Sequence, residues 1–193
     1  MAREVSSISR VGTSEPFELQ VSRNQISYHT SLFKYGYNPL IINVNETIWD
    51  VGGLYAYPGS AVVMTVTSAS GATDEGVKIT LFGLDTNYAE QSEEVTLNAS
   101  GVATTENTYL RVFRAYVSGD TAPAGNVNIT NGGTTYARVT AGENQTLMAV
   151  YTVPAGKTLY VTQGVATHGT ETSGAYMTVR FAVRNFGGVF RTA

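Results

Sequence analysis

A nine-residue run near the C-terminal end, Tyr176-Met177-Thr178-Val179-Arg180-Phe181-Ala182-Val183-Arg184, alternates its side chains with a period of two. Met177, Val179, Phe181 and Val183 fall on one face, while Tyr176, Thr178, Arg180 and Arg184 fall on the other. Successive side chains of a strand point to opposite faces, whereas a helix gathers apolar residues three and four apart. The run therefore predicts a half-buried strand. The same period aligns Val62, Met64 and Val66, then Val77, Ile79 and Leu81, then Leu147, Ala149, Tyr151 and Val153, and finally Leu159 with Val161. Tyr109–Val117 is apolar on both faces, with Arg111 and Arg114 one on each, which predicts a central or interface strand. No run of eleven or more residues has convincing helical spacing.

Turn formers separate these runs: Pro58-Gly59, Ser70-Gly71, Ser100-Gly101, Asn131-Gly132-Gly133, Pro154-Ala155-Gly156 and Gly187-Gly188. Each supplies positive φ through Gly or Asn, or a preset φ through Pro. About a dozen strands fit this punctuation. One-sided strands bury their apolar faces most simply by packing sheet on sheet. The expectation is an all-β, antiparallel two-sheet sandwich, jelly-roll-like, with little or no helix.

Residues 1–30 are polar and weakly patterned, and they read as an extended N-terminal arm ahead of a sandwich domain over 31–193. Phe17, Leu19 and Val21 alternate briefly, so an added edge strand, an arm ordered by neighbours and a plain disordered tail all stay open. At the other end, Phe186–Ala193 turns into a new strand and stops. Completion by another subunit, or a shortened chain, would each explain it.

Composition narrows function by exclusion. A domain of 193 residues buries roughly 70% of its unfolded surface and needs no staple. There are no cysteines, so disulfides and thiolate metal sites are excluded. Charged residues are 14% of the chain, against roughly 25% in typical domains. Thr, Ser, Asn and Gly replace them, and such a surface is cheap to desolvate against a partner. The net charge is -3 with no basic block, which gives nucleic-acid binding little support. No apolar run approaches the ~20 residues of a membrane span. Met1-Ala2-Arg3-Glu4 leads into a polar stretch, so no signal peptide is expected. The Asn-x-Ser/Thr triplets at Asn45, Asn98, Asn128 and Asn144 are then chance products of composition.

Catalytic chemistry finds few candidates. The two histidines, His29 and His168, lie in no recognisable motif and read as solvated loop or interface residues. Nucleophile elbows, zinc-protease helices and phosphate loops are absent from the sequence. Asp85, Glu90, Glu93 and Glu94 cluster between two strand patterns. Two carboxyl groups about 5–10 Å apart can cleave a glycosidic bond, and carboxylates also hold calcium. A hairpin connection with a solvated acidic strand explains the cluster better. No cofactor and no metal are expected. The richest aromatic stretch, Trp49–Pro58, holds the only Trp. With Tyr35 and Tyr37 nearby, Trp49, Tyr55 and Tyr57 make the preferred contact surface, the alternative being an aromatic core cluster.

A family resemblance rests on a longer series of residues. Thr47-Ile48-Trp49-Asp50 is followed by Gly53-Leu54-Tyr55 and Pro58, then by Thr80-Leu81-Phe82-Gly83-Leu84-Asp85 with Tyr88 and Glu93-Glu94-Val95-Thr96-Leu97. Tyr109-Leu110-Arg111-Val112-Phe113-Arg114, Ala141-Gly142, Gln145-Thr146, Tyr151-Thr152-Val153-Pro154, Gly156 and Thr158-Leu159-Tyr160 continue it, and Arg184-Asn185-Phe186-Gly187-Gly188-Val189-Phe190 completes it. Over about residues 35–191 the chain resembles virion structural proteins of tailed phages, especially those of marine bacteria and cyanobacteria. The resemblance implies a capsid cement or decoration protein without catalytic residues, on the outside of the virion after synthesis in the host cytoplasm. Its implied partners are the major capsid protein and further copies of itself in a homotrimer, with no nucleic acid and no membrane. A head fibre, tail or adsorption protein binding host glycan is the alternative, and a carbohydrate-active enzyme using the acidic cluster is the third reading.

Overall fold

The computed structural model describes residues 15–40, 44–169, 177–185 and 188–192. The chain divides into two compact units, Met1–Lys157 and Thr158–Ala193. The described residues of the first form seven strands: β1 (Val62–Ser68), β2 (Lys78–Leu84), β3 (Glu90–Thr96), β4 (Val102–Tyr109), β5 (Arg111–Val117), β6 (Val127–Asn131) and β7 (Thr134–Val139). They form two antiparallel sheets, ordered β4-β1-β6-β7 and β3-β2-β5. Only β2–β3 and β6–β7 are hairpins within one sheet; the other successive strands change sheets. The protein is all-β with almost no helix. A jelly roll distributes roughly eight strands over its two sheets, and the seven here do not complete that finer arrangement among the described residues.

Local chemistry explains the elements. Met64 and Val66 on β1 and Ile79 and Leu81 on β2 are fully buried, as their period-two spacing requires. On β5, Val112, Ala115 and Val117 face the core while Arg114 stands in solvent, and Arg111 is buried. The β6–β7 hairpin turns on Gly132 and Gly133, with φ of 56° and 80°, the pair of left-handed residues that matches strand twist. At Gly83 the ladder between β2 and β5 shifts register. A Cβ there would lie 2.0 Å from the Arg111 carbonyl oxygen and 2.7 Å from the Tyr109 ring, so only Gly fits.

Both seams of the sandwich are stitched. On one side the Glu93 carboxylate accepts the backbone N–H groups of Glu106 (2.6 Å) and Asn107 (3.0 Å), and the Gln91 amide donates to the Thr108 carbonyl (2.7 Å). On the other, residues 144–148 run between the sheets. Val117 N–H donates to Asn144 O (2.8 Å) and Thr146 N–H to Ala115 O (2.9 Å), while Thr146 bridges Val139 and Met148 bridges Trp49.

Several expectations need correction. The 147–153 run buries Met148 and Val150, not Leu147, Ala149, Tyr151 and Val153. Its backbone partners are Tyr37, Ile48 and Trp49, outside both sheets, so the face that meets the core is set by the Trp49 bridge and not by hydrophobicity alone. Phe17, Leu19 and Val21 belong to a short helix, α1 (Phe17–Ser22), started by Pro16, whose carbonyl accepts the Leu19 and Gln20 N–H groups at 3.1 Å. None of its residues is buried. The remainder of the arm before residue 15 lies outside the described residues.

The strands of the two sheets end at Val139, and a separate unit begins at Thr158. In the second unit, β8 (Ala182–Val183) and β9 (Arg191–Thr192) pair over two residues each. Residues 177–181 carry the strand period without a ladder, leaving Val179, Phe181 and Val183 at 43%, 52% and 42% exposure. Leu159 and Val161, expected as a fifth strand face, are likewise exposed and outside any ladder. Alternation is necessary for a half-buried strand but does not supply its partner. Nine strands, two of them minimal, therefore stand where about a dozen were expected among the described residues. Tyr176, Phe186, Gly187 and Ala193 lie outside those residues.

Candidate functional site

The five aromatic contact candidates separate into two groups. Trp49 and Tyr55 are core residues, 3% and 8% exposed, and cannot present a surface. The Trp49 indole N–H donates to Gly52 O (2.8 Å) and Gly53 O (3.2 Å), and its ring meets Tyr55 edge-on at 5.1 Å. Tyr55 donates its hydroxyl to Val112 O (3.1 Å) and meets the half-buried Tyr57 edge-on at 4.8 Å. Burial and the Tyr57 ring hydroxyl together push the Tyr55 hydroxyl far above its ordinary range. The Arg111 guanidinium then lies over Tyr57 (5.3 Å) and Tyr88 (5.6 Å) and donates to the carbonyls of Pro58 and Leu110. A buried cation is thus satisfied by carbonyls and ring faces. The Trp49–Pro58 stretch is an aromatic core cluster, the alternative that its composition left open.

Tyr35 and Tyr37 are half exposed, at 52% and 50%. They sit on a segment, residues 31–37, that crosses the outer side of β5. Tyr37 N–H donates to Leu147 O (3.3 Å), and the Lys34 ammonium donates to Phe113 O. Gly36 makes the closest approach: a Cβ there would lie 2.5 Å from the Ala149 nitrogen and 2.6 Å from Ile48 O.

Between this segment and β5 lies an open concavity of about 400 Å³, lined by Leu32, Phe33, Lys34, Tyr35, Arg114 and Gln145, among others. Tyr35, Arg114 and Gln145 also border a neighbouring concavity of about 510 Å³ that reaches Tyr116, Glu143 and Asn144. The Arg114 guanidinium covers the rings of Tyr116 (5.2 Å) and Phe82 (5.9 Å), which stack at 5.7 Å, and donates to Gln145 Oε1 (3.2 Å). Lys34 lies 5.9 Å from the Phe113 ring centre. Burial, and then the Arg114 charge, push its ammonium down to about 8. The ion pairs among the described residues are Arg23–Glu15 and Lys78–Glu94, so neither groove cation has a carboxylate partner there.

The acidic cluster is largely committed to structure. Asp85 Oδ1 accepts the N–H groups of Asn87 (2.7 Å) and Ala89 (2.8 Å), shaping the β2–β3 turn, where Tyr88 takes φ 60°. Glu93 stitches the seam, and Glu94 pairs with Lys78 at 2.9 Å. Bonding to Lys78, then to Ser118, holds the Glu94 carboxyl below its ordinary range. No group of three or more His, Asp and Glu residues is placed to hold a metal among the described residues. His29 packs edge-on against Phe17 at 5.6 Å, and His168 is an exposed loop residue.

The groove residues Lys34, Arg114 and Gln145 were not singled out in the sequence as a site. Arg114 could be recognised as the outward charge of a two-sided strand. That Lys34 meets β5 from 79 positions away is a tertiary fact with no local signal. No protein-family model, curated protein or solved structure matches the chain.

Proposed function

We propose that this chain is a non-enzymatic structural component of a tailed-phage particle, a cement or decoration protein that binds the outside of the major capsid protein lattice. One observation carries the reading. Most of the candidate chemical groups, Asp85, Glu93, Glu94, Trp49 and Tyr55 among them, are committed to internal contacts, while large apolar side chains stand exposed in the segments that precede and follow the seven strands in sequence. Phe33 is 87% exposed, Leu40 68%, Val44 64%, Val165 78% and Val189 73%. Isolated exposed apolar residues are ordinary, but concentration in flanking segments suits contacts with neighbouring subunits. The resemblance to virion proteins names the particle.

Its mechanism is mass action. A protein that binds only the assembled shell stabilises that shell by its binding free energy. Particles stripped of this protein are expected to release DNA at a lower temperature, and adding it back restores the original temperature. Equal release temperatures would sink the reading. Copy number separates shell from tail, since a lattice component is present in hundreds of copies and a tail component in few.

The half-exposed Tyr35 beside an open groove favours one second reading, an adsorption protein binding host glycan. Labelled protein that binds host cells, and loses that binding on Tyr35→Ala, would support it.

A further inference from the structure

Opposite edges of the three-stranded sheet carry opposite charge. Outside β5, the 400 Å³ concavity contains Lys34 and Arg114 and no carboxylate. Glu143 borders only the neighbouring concavity. Two cations held side by side repel each other, and the Arg114 charge acts directly on Lys34. At the other edge, β3 carries Glu90, Glu93 and Glu94, and β4 of the adjoining sheet carries Glu106, with no Lys or Arg in either strand. Glu93 is drawn into the seam and Glu94 is paired with Lys78, but Glu90 and Glu106 are exposed and lie outside the ion pairs of the described residues.

We propose that the Lys34–Arg114 groove of one copy receives the acidic β3–β4 edge of a second copy, with Glu90 and Glu106 as the approaching carboxylates. Charge complementarity identifies the occupant: the groove has two cations without a carboxylate partner among the described residues, and the same chain presents the missing charge on its far edge. Tyr35, Phe33 and Arg114 are the residue types enriched at interface centres. The two contacting surfaces differ, so the contact is heterologous and closes into a ring or continues as a filament. It names the self-contact of the proposed particle component. The test reads association alone, so it stands or fails separately from the particle assay.

The test uses sedimentation of the full chain at several salt concentrations, with Arg114→Glu as one variant and Glu90→Lys/Glu106→Lys as another. Thermal melts establish that each variant is folded. The wild type is expected to associate with concentration and to dissociate as salt rises. Like charges placed in apposition should weaken association about 100-fold in either variant. An equimolar mixture of the two should form mixed complexes, and one chain carrying all three reversals should associate with itself again. A wild type that stays monomeric at low salt overturns the proposal. So do variants that associate as the wild type does, or a mixture that fails to recover. Polyglutamate or polyuronate binding to a monomeric wild type, but not to Arg114→Glu, would assign the groove to a foreign acidic ligand and equally overturn it.

Discussion

Asp74 is a residue whose removal should cost the fold heavily. It ends the 3-10 turn Gly71–Asp74 and is 2% exposed. Its Oδ2 accepts the Ser68 hydroxyl and the Gly125 N–H (3.1 Å), and its Oδ1 accepts the Ala124 N–H (2.8 Å). One carboxylate thereby ties the end of β1 to the loop that enters β6. Burial alone would raise its pKa, but the Ser68, Ala124 and Gly125 bonds outweigh it and hold the carboxyl below its ordinary range. Asp74→Ala leaves a hydroxyl and two backbone donors without their acceptor, at about 1–3 kcal/mol for each buried group. Relief of the carboxylate's own desolvation offsets part of that, so about 3–5 kcal/mol is the expected loss. That is a large part of the roughly 5–15 kcal/mol available to a domain. Asp74→Asn keeps one acceptor and turns an NH₂ toward donors, for a loss of about 2 kcal/mol. The folded carboxyl has the lower pKa, so its contribution is present above the unfolded value of about 3.8 and is lost as pH falls through the folded one. The gap between wild type and Asp74→Asn should therefore narrow below about pH 4. Urea titration followed by Trp49 fluorescence measures this, because the only Trp is 3% exposed and changes environment on unfolding. An Asp74→Ala loss under about 1 kcal/mol at neutral pH, or a gap to Asp74→Asn that ignores acidification, would refute the reasoning.

Asp50 should behave with the opposite sign. Its Oδ2 accepts the Thr140 hydroxyl (2.6 Å) while Oδ1 is buried without a partner, and burial raises its pKa against the opposing pull of Thr140 and Arg138. The folded carboxyl binds its proton more tightly than the unfolded one, so stability rises as pH falls through the window above 3.8. Asp50→Asn should be neutral to about 1 kcal/mol more stable at pH 7 and should lose that advantage on acidification, checked by thermal melts at both pH values. Trp49→Ala should lose about 3–5 kcal/mol in urea titration followed by circular dichroism, as a core deletion does. Tyr35→Ala should stay within about 0.5 kcal/mol of wild type in the same titration. The Lys34 ammonium should titrate near 8 by side-chain NMR and move up only in part in Arg114→Gln, because burial, the larger cause, remains; a Lys34 that titrates near 10.5 in the wild type would contradict the groove geometry.

Period-two spacing made β1 and β2 legible because each has a neighbour on both sides of its ladder, whereas the two-sided Tyr109–Val117 run divides at Leu110 between β4 of one sheet and β5 of the other. The same spacing misled at 177–183, where the alternation is as regular but the ladder spans only Ala182–Val183. It misled again at 147–153, where the backbone bridge from Trp49 to Met148 chooses the buried face. Aromatic density located Trp49–Pro58 correctly in sequence, but its role depends on Tyr55 reaching the Val112 carbonyl, 57 positions away. The groove was less legible still. Tyr35 marked its rim, whereas Lys34, Arg114 and Gln145 are brought together only by packing.

The stitched seams also bear on how copies could meet. Two sheets with open edges would invite a neighbour to add a strand, a contact made by backbone hydrogen bonds and little affected by salt. Here residues 144–146 occupy backbone groups at the outer edge of β5, and the side chains of Gln91 and Glu93 occupy N–H and C=O groups of β4. A copy adding a strand at either position would first break bonds already made. Side-chain contact adds itself without that loss, and between charged partners it weakens as the screening length falls from about 10 Å at 0.1 M salt to about 3 Å at 1 M. Salt sensitivity therefore separates the two modes. Association that survives 1 M salt would point to strand addition, for which the exposed alternating face around Val179–Val183 is the available element. Association that dissolves there, and returns on pairing the two charge-reversed chains, would assign the contact to the opposed edges of the sandwich.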